Sequence, residues 1–223
     1  MRLGLLVCDH VDDRFLGIDG DYDAMFAELL PWADLVPYDA VNDVLPASPD
    51  ECDGWVVTGS RYSVYDRMPW LDRLHGFVRD IRTAGAPYLG ICFGHQLLAH
   101  AVGGRTTKAD VGWGVGAHDM KTGVDDLPDS LRLLYLHQDQ VVEVPDGGVV
   151  LASADHCPVA ALQVDEQMLG IQAHPEFSAD YLAALLHARE ERIGQDVVDA
   201  ALRSLDAPRD EAVVAGWLRR SLG

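Results

Sequence analysis

The sequence has few basic residues for its length. Lys and Arg number 17 among 223 residues against 36 Asp and Glu, so the net charge is −19. A charge of this sign repels nucleic-acid phosphates and anionic membrane surfaces unless a basic patch intervenes, and the sequence shows no such patch. We therefore expect no nucleic-acid partner and no membrane partner.

A long hydrophobic run is also missing near the start of the sequence. The first apolar run extends only from Leu3 to Cys8 before Asp9 interrupts it. A signal-peptide core needs about 7–15 apolar residues next to a cleavage site, and a membrane-spanning helix needs about 20. We expect a cytoplasmic protein.

Cysteine is scarce and scattered. The four cysteines, Cys8, Cys52, Cys92 and Cys157, form no C-x-x-C pair. This spacing fits neither a disulfide framework nor a thiolate zinc site, so each cysteine is judged alone. Buried structural thiols are the expectation for three of them, and Cys92 is the exception.

Strand and helix signals alternate in the first half of the sequence. Short apolar runs bounded by turn residues predict buried strands, and apolar residues at helical spacing between them predict helices. This order is typical of a single α/β domain with a mostly parallel central sheet and helices on both faces, whose ligand sites lie beyond the carboxyl ends of the strands. The predicted strands lie at 2–8, 33–38, 53–59 and 86–92, and the clearest helices at 22–30 and 70–81.

The second half differs in character. Residues 105–173 contain several strand candidates separated by Gly, Pro and Asp turns, which predicts a β-rich excursion. From about residue 178 to 223 the pattern is helical, and Ser178 is a plausible cap for the first of these helices.

One cysteine occupies a distinctive position. In Gly90-Ile91-Cys92-Phe93-Gly94 a strand is predicted to end near Cys92 and a helix to begin near Gly94. Hydrolases with a nucleophile elbow place their nucleophile at such a turn, where flanking glycines avoid clashes and the helix N-terminus favours a thiolate. A core cysteine in an ordinary turn is the alternative.

A histidine and a glutamate follow another predicted strand. The segment His174-Pro175-Glu176 should be extended, because the residue before proline avoids the helical region. Residues two apart on an extended segment point the same way, so His174 and Glu176 have the geometry of a base and its orienting acid. Together with Cys92 they predict a Cys-His-Glu triad, and a solvated strand end is the alternative.

A third turn follows the strand at 53–59. Thr58-Gly59-Ser60 leaves backbone N–H groups free at the same end of the sheet. One of these groups, together with the N–H of Phe93, could form an oxyanion hole.

At these residues the sequence resembles the class I, triad-type glutamine amidotransferases. PYLGICFGHQLLAHAVGG (87–104) looks like their nucleophile-elbow signature and GIQAHPEFS (170–178) like their His-Pro-Glu segment. The resemblance covers nearly the whole chain and is greatest to stand-alone members similar to the amidotransferase half of GMP synthase, which include the γ-glutamyl peptidases. It implies a flavodoxin-like fold, with residues 1–223 as one domain.

The resemblance also implies a set of catalytic residues. Cys92 would be the nucleophile, His174 the base and Glu176 its orienting acid, while the N–H groups of Gly59 and Phe93 would bind the oxyanion. The implied reaction is attack on a γ-glutamyl carbonyl followed by hydrolysis of a γ-glutamyl thioester. It needs neither a metal nor a cofactor.

Pocket residues follow from the same resemblance. Gln96 would contact the α-amino-acid end of a small γ-glutamyl substrate. The segments Gly112-Trp113 and His137-Gln138-Asp139 match loops that border the glutamine pocket in relatives, so Trp113 and His137 are expected at the substrate, together with Ser60 from the turn at 58–60.

Two alternatives concern how the activity is used. The sequence contains neither a G-x-x-x-x-G-K-[ST] loop nor an S-G-G-x-D-S loop, so we expect no ATP-dependent amination by this chain alone. It would hydrolyse a γ-glutamyl compound for its own sake, or release ammonia as the glutaminase component of a separately encoded synthase.

Two further alternatives are chemically different. A non-enzymatic relative could use Cys92 as a redox sensor or stress protein, although such a protein would not need a base with an orienting acid. A zinc hydrolase using His137, His174 and Glu176 has suitable ligand types but no supporting spacing.

Overall fold

The computed structural model describes residues 1–222, and its framework is a set of β-strands that alternate with helices in the first half of the chain. In chain order the strands are Arg2–Leu6 (β1), Asp34–Tyr38 (β2), Gly54–Val57 (β3), Tyr88–Ile91 (β4), Arg105–Lys108 (β5), Gly114–Thr122 (β6), Ser130–His137 (β7), Asp139–Glu143 (β8), Gly148–Ala154 (β9), Cys157–Val164 (β10) and Met168–Ile171 (β11). The helices are Leu16–Asp19 (α1), Tyr22–Leu29 (α2), Pro69–Ala84 (α3), Phe93–Ala101 (α4), Ala179–Ala188 (α5), Glu190–Ile193 (α6), Gln195–Ser204 (α7) and Glu211–Ser221 (α8).

The central sheet has a parallel half. Strands β2, β1, β3, β4 and β11 lie side by side in that order, and every adjacent pair is parallel. Strands β3, β4 and β11 are buried along their whole length, because helices cover both faces of the sheet. The predicted parallel centre of a single α/β domain is confirmed.

The β-rich second half extends the same sheet. Strands β10, β9, β6 and β7 continue it beyond β11 in antiparallel pairings. Strands β5 and β8 pair with each other as a separate antiparallel ribbon.

Two apolar cores separate the helices into layers. One core includes Leu71 and Leu74 from α3 together with Leu97 from α4. The other includes Phe26 from α2 and Leu182 from α5, and it also takes in residues of α7 and α8. Helices therefore lie on both faces of the sheet, as the sequence predicts.

The carboxyl ends of three neighbouring strands create the setting for a site. Because β4 is parallel to both β3 and β11, the residues that follow these strands emerge at one edge. Thr58 and Gly59 follow β3, Cys92 follows β4, and Gln172 to His174 follow β11. The predicted N-cap of α5 is confirmed, because the Ser178 hydroxyl accepts a hydrogen bond of 3.0 Å from the Tyr181 N–H in the first turn of that helix.

Candidate active site

Cys92 sits at a sharp turn between β4 and α4. Its φ is 50° and its ψ is −97°, a region that side-chain-bearing residues rarely adopt. A Cβ on Gly90 would lie 2.3 Å from the carbonyl carbon of Gly94, and one on Gly94 would lie 2.5 Å from the carbonyl oxygen of Val57. Both flanking glycines are therefore required by close backbone approach.

One side chain donates a hydrogen bond to the Cys92 sulfur, namely Gln172 through Nε2 over 3.4 Å. His174 is close enough to Cys92 for the sulfur to raise the pKa of the imidazole. The sulfur itself is largely buried at the N-terminus of α4. The first turn of α4 leaves backbone N–H groups unpaired next to this residue.

His174 and Glu176 contact each other directly. Nδ1 of His174 lies 2.7 Å from Oε1 of Glu176, and both side chains are almost completely buried. The Phe177 ring stacks on the imidazole at a centroid distance of 4.0 Å, and the His174 backbone N–H donates to the carbonyl of Leu134 over 2.8 Å. These contacts fix both the backbone and the ring of His174.

The electrostatics of this group favour an imidazolium. Burial by itself would lower the pKa of His174, but the Cys92 sulfur and the Glu176 carboxylate outweigh burial and raise that pKa above its usual value. A protonated imidazole next to a sulfur is the arrangement that stabilises a thiolate.

Gly59 and Phe93 lie just beyond the carboxyl ends of the neighbouring strands β3 and β4. Within residues 1–222 neither N–H donates to a protein acceptor. A Cβ on Gly59 would lie 3.1 Å from Cε1 of His174, so the Gly59 backbone approaches the imidazole closely. Hydrogen-bond donors at these two positions are therefore available to a bound oxyanion.

A cavity opens above the Cys92 sulfur. The structure brings four predicted pocket residues to its wall, namely Ser60, Gln96, Trp113 and His137. The Gln96 Nε2 group donates to the Asp139 carbonyl over 2.8 Å and to Oε1 of Gln172 over 3.0 Å. The Ser60 hydroxyl donates to the Cys8 carbonyl over 2.8 Å, which fixes the turn after β3.

His137 differs electrostatically from His174. Burial, with a smaller effect of His156, lowers the pKa of His137 to about 3, so its imidazole stays neutral at physiological pH. Nδ1 of His137 lies 3.1 Å from the Asp139 carbonyl oxygen. Among the described residues, Nε2 of His137 contacts no hydrogen-bond partner although it is buried.

Several cavity residues were not predicted. Gln172 lies in a bend directly after β11, and Pro175 and Glu176 form a turn, so the predicted extended conformation of His174-Pro175-Glu176 is wrong although His174 and Glu176 still meet. No spacing signal in the sequence identifies Gln172. Arg189 and Arg192 reach the cavity from the end of α5 and from α6. Their spacing in an ordinary helical pattern carries no signal for a site.

Two other properties of the described chain bear on the site. Across residues 1–222, no group of three or more His, Cys, Asp or Glu side chains is arranged to hold a metal ion. In the same part of the chain, no helix combines the length and the apolar character needed to cross a membrane.

Comparisons with known proteins show which family this chain is similar to. The family model described as "Glutamine amidotransferase class-I" matches residues 26–186. "Gamma-glutamyl peptidase 5" of Arabidopsis thaliana is 28% identical over 169 residues, which cover 70% of this chain and 67% of that protein. A component of the glutamine-hydrolyzing GMP synthase of Halobacterium salinarum is 32% identical over 166 residues, which cover 70% of this chain and 84% of that protein.

A solved structure shares the fold. The crystal structure of a glutamine amidotransferase from Thermotoga maritima superimposes with a TM-score of 0.76, at 19% identity, and covers 100% of this chain and 98% of that one. At this identity the match concerns the fold alone. The match to the family model covers most of the chain and includes the turn with Cys92 and the segment with His174 and Glu176. The chain therefore belongs to the class-I glutamine amidotransferase family.

Proposed function

We propose that the protein hydrolyses a γ-glutamyl amide bond, with Cys92 as nucleophile, His174 as acid and base, and Glu176 as the group that orients His174. The observation that carries this proposal is that Cys92 lies on a strained strand-to-helix turn beside the buried, directly hydrogen-bonded pair of His174 and Glu176. A buried core cysteine would need neither the backbone strain nor the imidazole.

The first chemical step forms a thioester. The Cys92 thiolate attacks the γ-carbonyl carbon, and the N–H groups of Gly59 and Phe93 bind the oxyanion that develops. The C–N bond breaks as the His174 imidazolium gives its proton to the departing nitrogen. Ammonia or an amine leaves, and the γ-glutamyl group remains on the sulfur.

The second step releases the acid. Neutral His174 takes a proton from water, whose oxygen attacks the thioester carbonyl. The C–S bond breaks, glutamate leaves, and the thiolate–imidazolium pair is restored. Glu176 keeps one imidazole tautomer in place and stabilises the imidazolium in both steps.

The relatives support hydrolysis of a γ-glutamyl amide bond, and they suggest two possible roles for that reaction. The γ-glutamyl peptidases favour a free-standing hydrolase acting on γ-glutamyl compounds. The 84% coverage of the GMP synthase component favours a second candidate function, a glutaminase that delivers ammonia to a synthase encoded separately. In either case the substrate is a small γ-glutamyl molecule, and the chemistry at Cys92 is the same.

The direct test is replacement of the nucleophile. We expect Cys92→Ala to abolish hydrolysis of glutamine and γ-glutamyl peptides while circular dichroism and thermal unfolding show an intact fold. Cys52→Ala is the matched control, since Cys52 precedes β3 at the opposite end of the sheet. Turnover that survives in the Cys92 variant would contradict the proposal.

Adding the candidate synthase to the assay distinguishes the two roles. A free-standing hydrolase turns over its substrate at full rate alone. A glutaminase that serves a synthase shows weak activity alone and a large rise when the candidate synthase is added, measured as ammonia release.

A further inference from the structure

Two cavities meet beside Cys92. The catalytic cavity contains the Cys92 sulfur, and a second cavity of about 220 Å³ lies between the turn after β1 and helix α5. Only arginines line both, namely Arg61, Arg189 and Arg192. They form the shared boundary across which a bulky substrate would extend.

The arginines of the second cavity divide into paired and unpaired groups. Nε of Arg61 lies 2.8 Å from Asp9 Oδ2, and Nε of Arg14 lies 2.9 Å from Asp12 Oδ1. In contrast, neither Arg189 nor Arg192 has a carboxylate within ion-pair distance among residues 1–222. We call these two residues the arginine pair.

The acidic groups that line the two cavities are already engaged, and the exposed Glu190 and Glu191, between the two arginines in the sequence, line neither cavity. The carboxylates of Asp9 and Asp12 are bound by the two arginines just described, and Asp21 lies 2.7 Å from Nδ1 of His10. The Asp139 carboxylate accepts hydrogen bonds from Ser63 over 2.5 Å and Tyr65 over 2.9 Å. In a chain of net charge −19, two arginines without such a partner at the catalytic cavity are available to an external anion.

The arginine pair is partly preorganised. The Arg192 guanidinium stands over the Trp113 ring at 5.0 Å, which leaves its N–H edge free to bind a carboxylate in the guanidinium plane. The Arg189 backbone N–H donates to the Leu185 and Leu186 carbonyls at the end of α5, which fixes the base of its side chain.

We propose that the arginine pair binds a carboxylate on the leaving group of the substrate, so that the protein favours γ-glutamyl amino acids and peptides with a free carboxyl terminus. This inference rests on the proposed function. Gln96, Trp113 and His137 line the catalytic cavity but not the second one, so the γ-glutamyl half occupies their side. The leaving group then lies along the shared boundary, next to the arginine pair.

The test compares a matched pair of ligands, γ-glutamyl-alanine and γ-glutamyl-alaninamide, which differ only in the terminal carboxylate. Binding to the Cys92→Ala protein is measured by calorimetry, and kcat/KM is measured for the wild-type chain with both ligands and with glutamine. We expect the free acid to be preferred at least about tenfold, since a hydrogen bond to a charged group contributes that much or more.

The variants locate the effect. The double variant Arg189→Gln/Arg192→Gln should bring the acid-to-amide ratio close to one, and it should lose more activity with the free acid than with glutamine. Arg203→Gln on α7 removes an exposed charge from the same helical segment and is the control, in which the ratio should stay as in the wild type.

Three results would overturn the inference. They are equal wild-type affinity for acid and amide, a preference that persists in the double variant, and a loss with glutamine as large as the loss with the free acid. The last result would place the arginine pair on the γ-glutamyl half. Absence of any turnover would instead contradict the proposed function, and the calorimetric comparison would still decide the carboxylate preference.

Discussion

At the scale of single residues, the site depends on contacts between a few buried polar groups. Among residues 1–222 the Glu176 carboxylate hydrogen-bonds only to His174, through Oε1, and its Oε2 has no hydrogen-bond partner. A buried carboxylate with so few partners is costly unless its charge has a purpose. Burial lowers the pKa of His174, and the interactions of its imidazole with Cys92 and Glu176 together raise that pKa above its usual value.

Replacing this charge gives a residue-scale prediction. Glu176→Gln keeps the side-chain size but removes the charge, so the pKa of His174 should fall and the imidazolium should be lost at lower pH. We expect kcat/KM to drop by about 10²- to 10⁴-fold, as for loss of the orienting acid in other triads, and the basic limb of the pH profile to move to lower pH. Glu166→Gln, in the turn between β10 and β11, is the control, and an unchanged profile for Glu176→Gln would argue against the orienting role.

Residue-scale prediction from sequence was uneven for a physical reason. Gln172, His174 and Glu176 lie within five residues of one another in the bend and turn after β11, so their proximity follows from the sequence alone. Arg189 and Arg192 reach the same cavity only because α5 packs over the sheet. Such a meeting depends on long-range packing, which a single sequence does not encode locally.

At the scale of elements, the β4–α4 turn is the most constrained part of the fold. Its glycines allow α4 to start directly above β3, with Gly94 against the Val57 carbonyl. The Tyr88 hydroxyl also donates to the Gly94 carbonyl over 2.8 Å, which fastens the turn to the strand before it. The geometry of Cys92 is therefore set by backbone contacts rather than by the cysteine side chain.

Two glycine substitutions test this constraint. Gly94→Ala should lower the free energy of unfolding by about 1–3 kcal/mol and impair activity, because its Cβ would clash with the backbone of β3. Gly76→Ala, inside α3, meets only the end of Arg79 at 3.9 Å and should raise stability by about 0.5–1 kcal/mol through helix propensity. Denaturant unfolding measures both, and equal effects of the two substitutions would show that the turn is not constrained as described.

Individual strands and helices could be predicted from the sequence, but which strands pair with each other in the sheet could not. The buried runs at β3 and β4 and the amphipathic pattern of α3 are local signals. The position of β6 between β9 and β7, and the separation of β5 with β8 as their own ribbon, depend on pairings between distant segments. The sequence therefore indicated a β-rich second half without showing that most of it extends the central sheet.

At the scale of the whole molecule, buried histidines link stability to pH. Burial lowers the pKa of His95 to about 4, and burial together with neighbouring histidines lowers the pKa of His137 to about 3 and that of His156 to about 4. These groups are neutral in the folded chain but gain protons in the unfolded chain below about pH 6.5. Their contribution to stability is complete above that pH and is lost as the pH falls towards about 4.

His95 offers the cleanest test of this linkage, since it is completely buried. In His95→Leu the fall in unfolding free energy between pH 6.5 and pH 4.5 should be shallower by up to about 1.4 kcal/mol per pH unit, which corresponds to one proton. His187→Leu, at an exposed position of α5, is the control. Denaturant titrations at several pH values give the slopes, and a wild-type slope in the His95 variant would contradict the linkage.

The central claim, that Cys92 carries the γ-glutamyl group during turnover, is tested most directly by intact-protein mass spectrometry. The protein is mixed with glutamine or a γ-glutamyl peptide, quenched in acid within the first turnovers, and digested to locate any adduct. The account predicts a mass increase of one γ-glutamyl group on Cys92, absent in Cys92→Ala and accumulating in Glu176→Gln if deacylation is slowed. Hydrolysis without any Cys92 adduct, or an oxidised Cys92 with no γ-glutamyl adduct from any substrate, would contradict it.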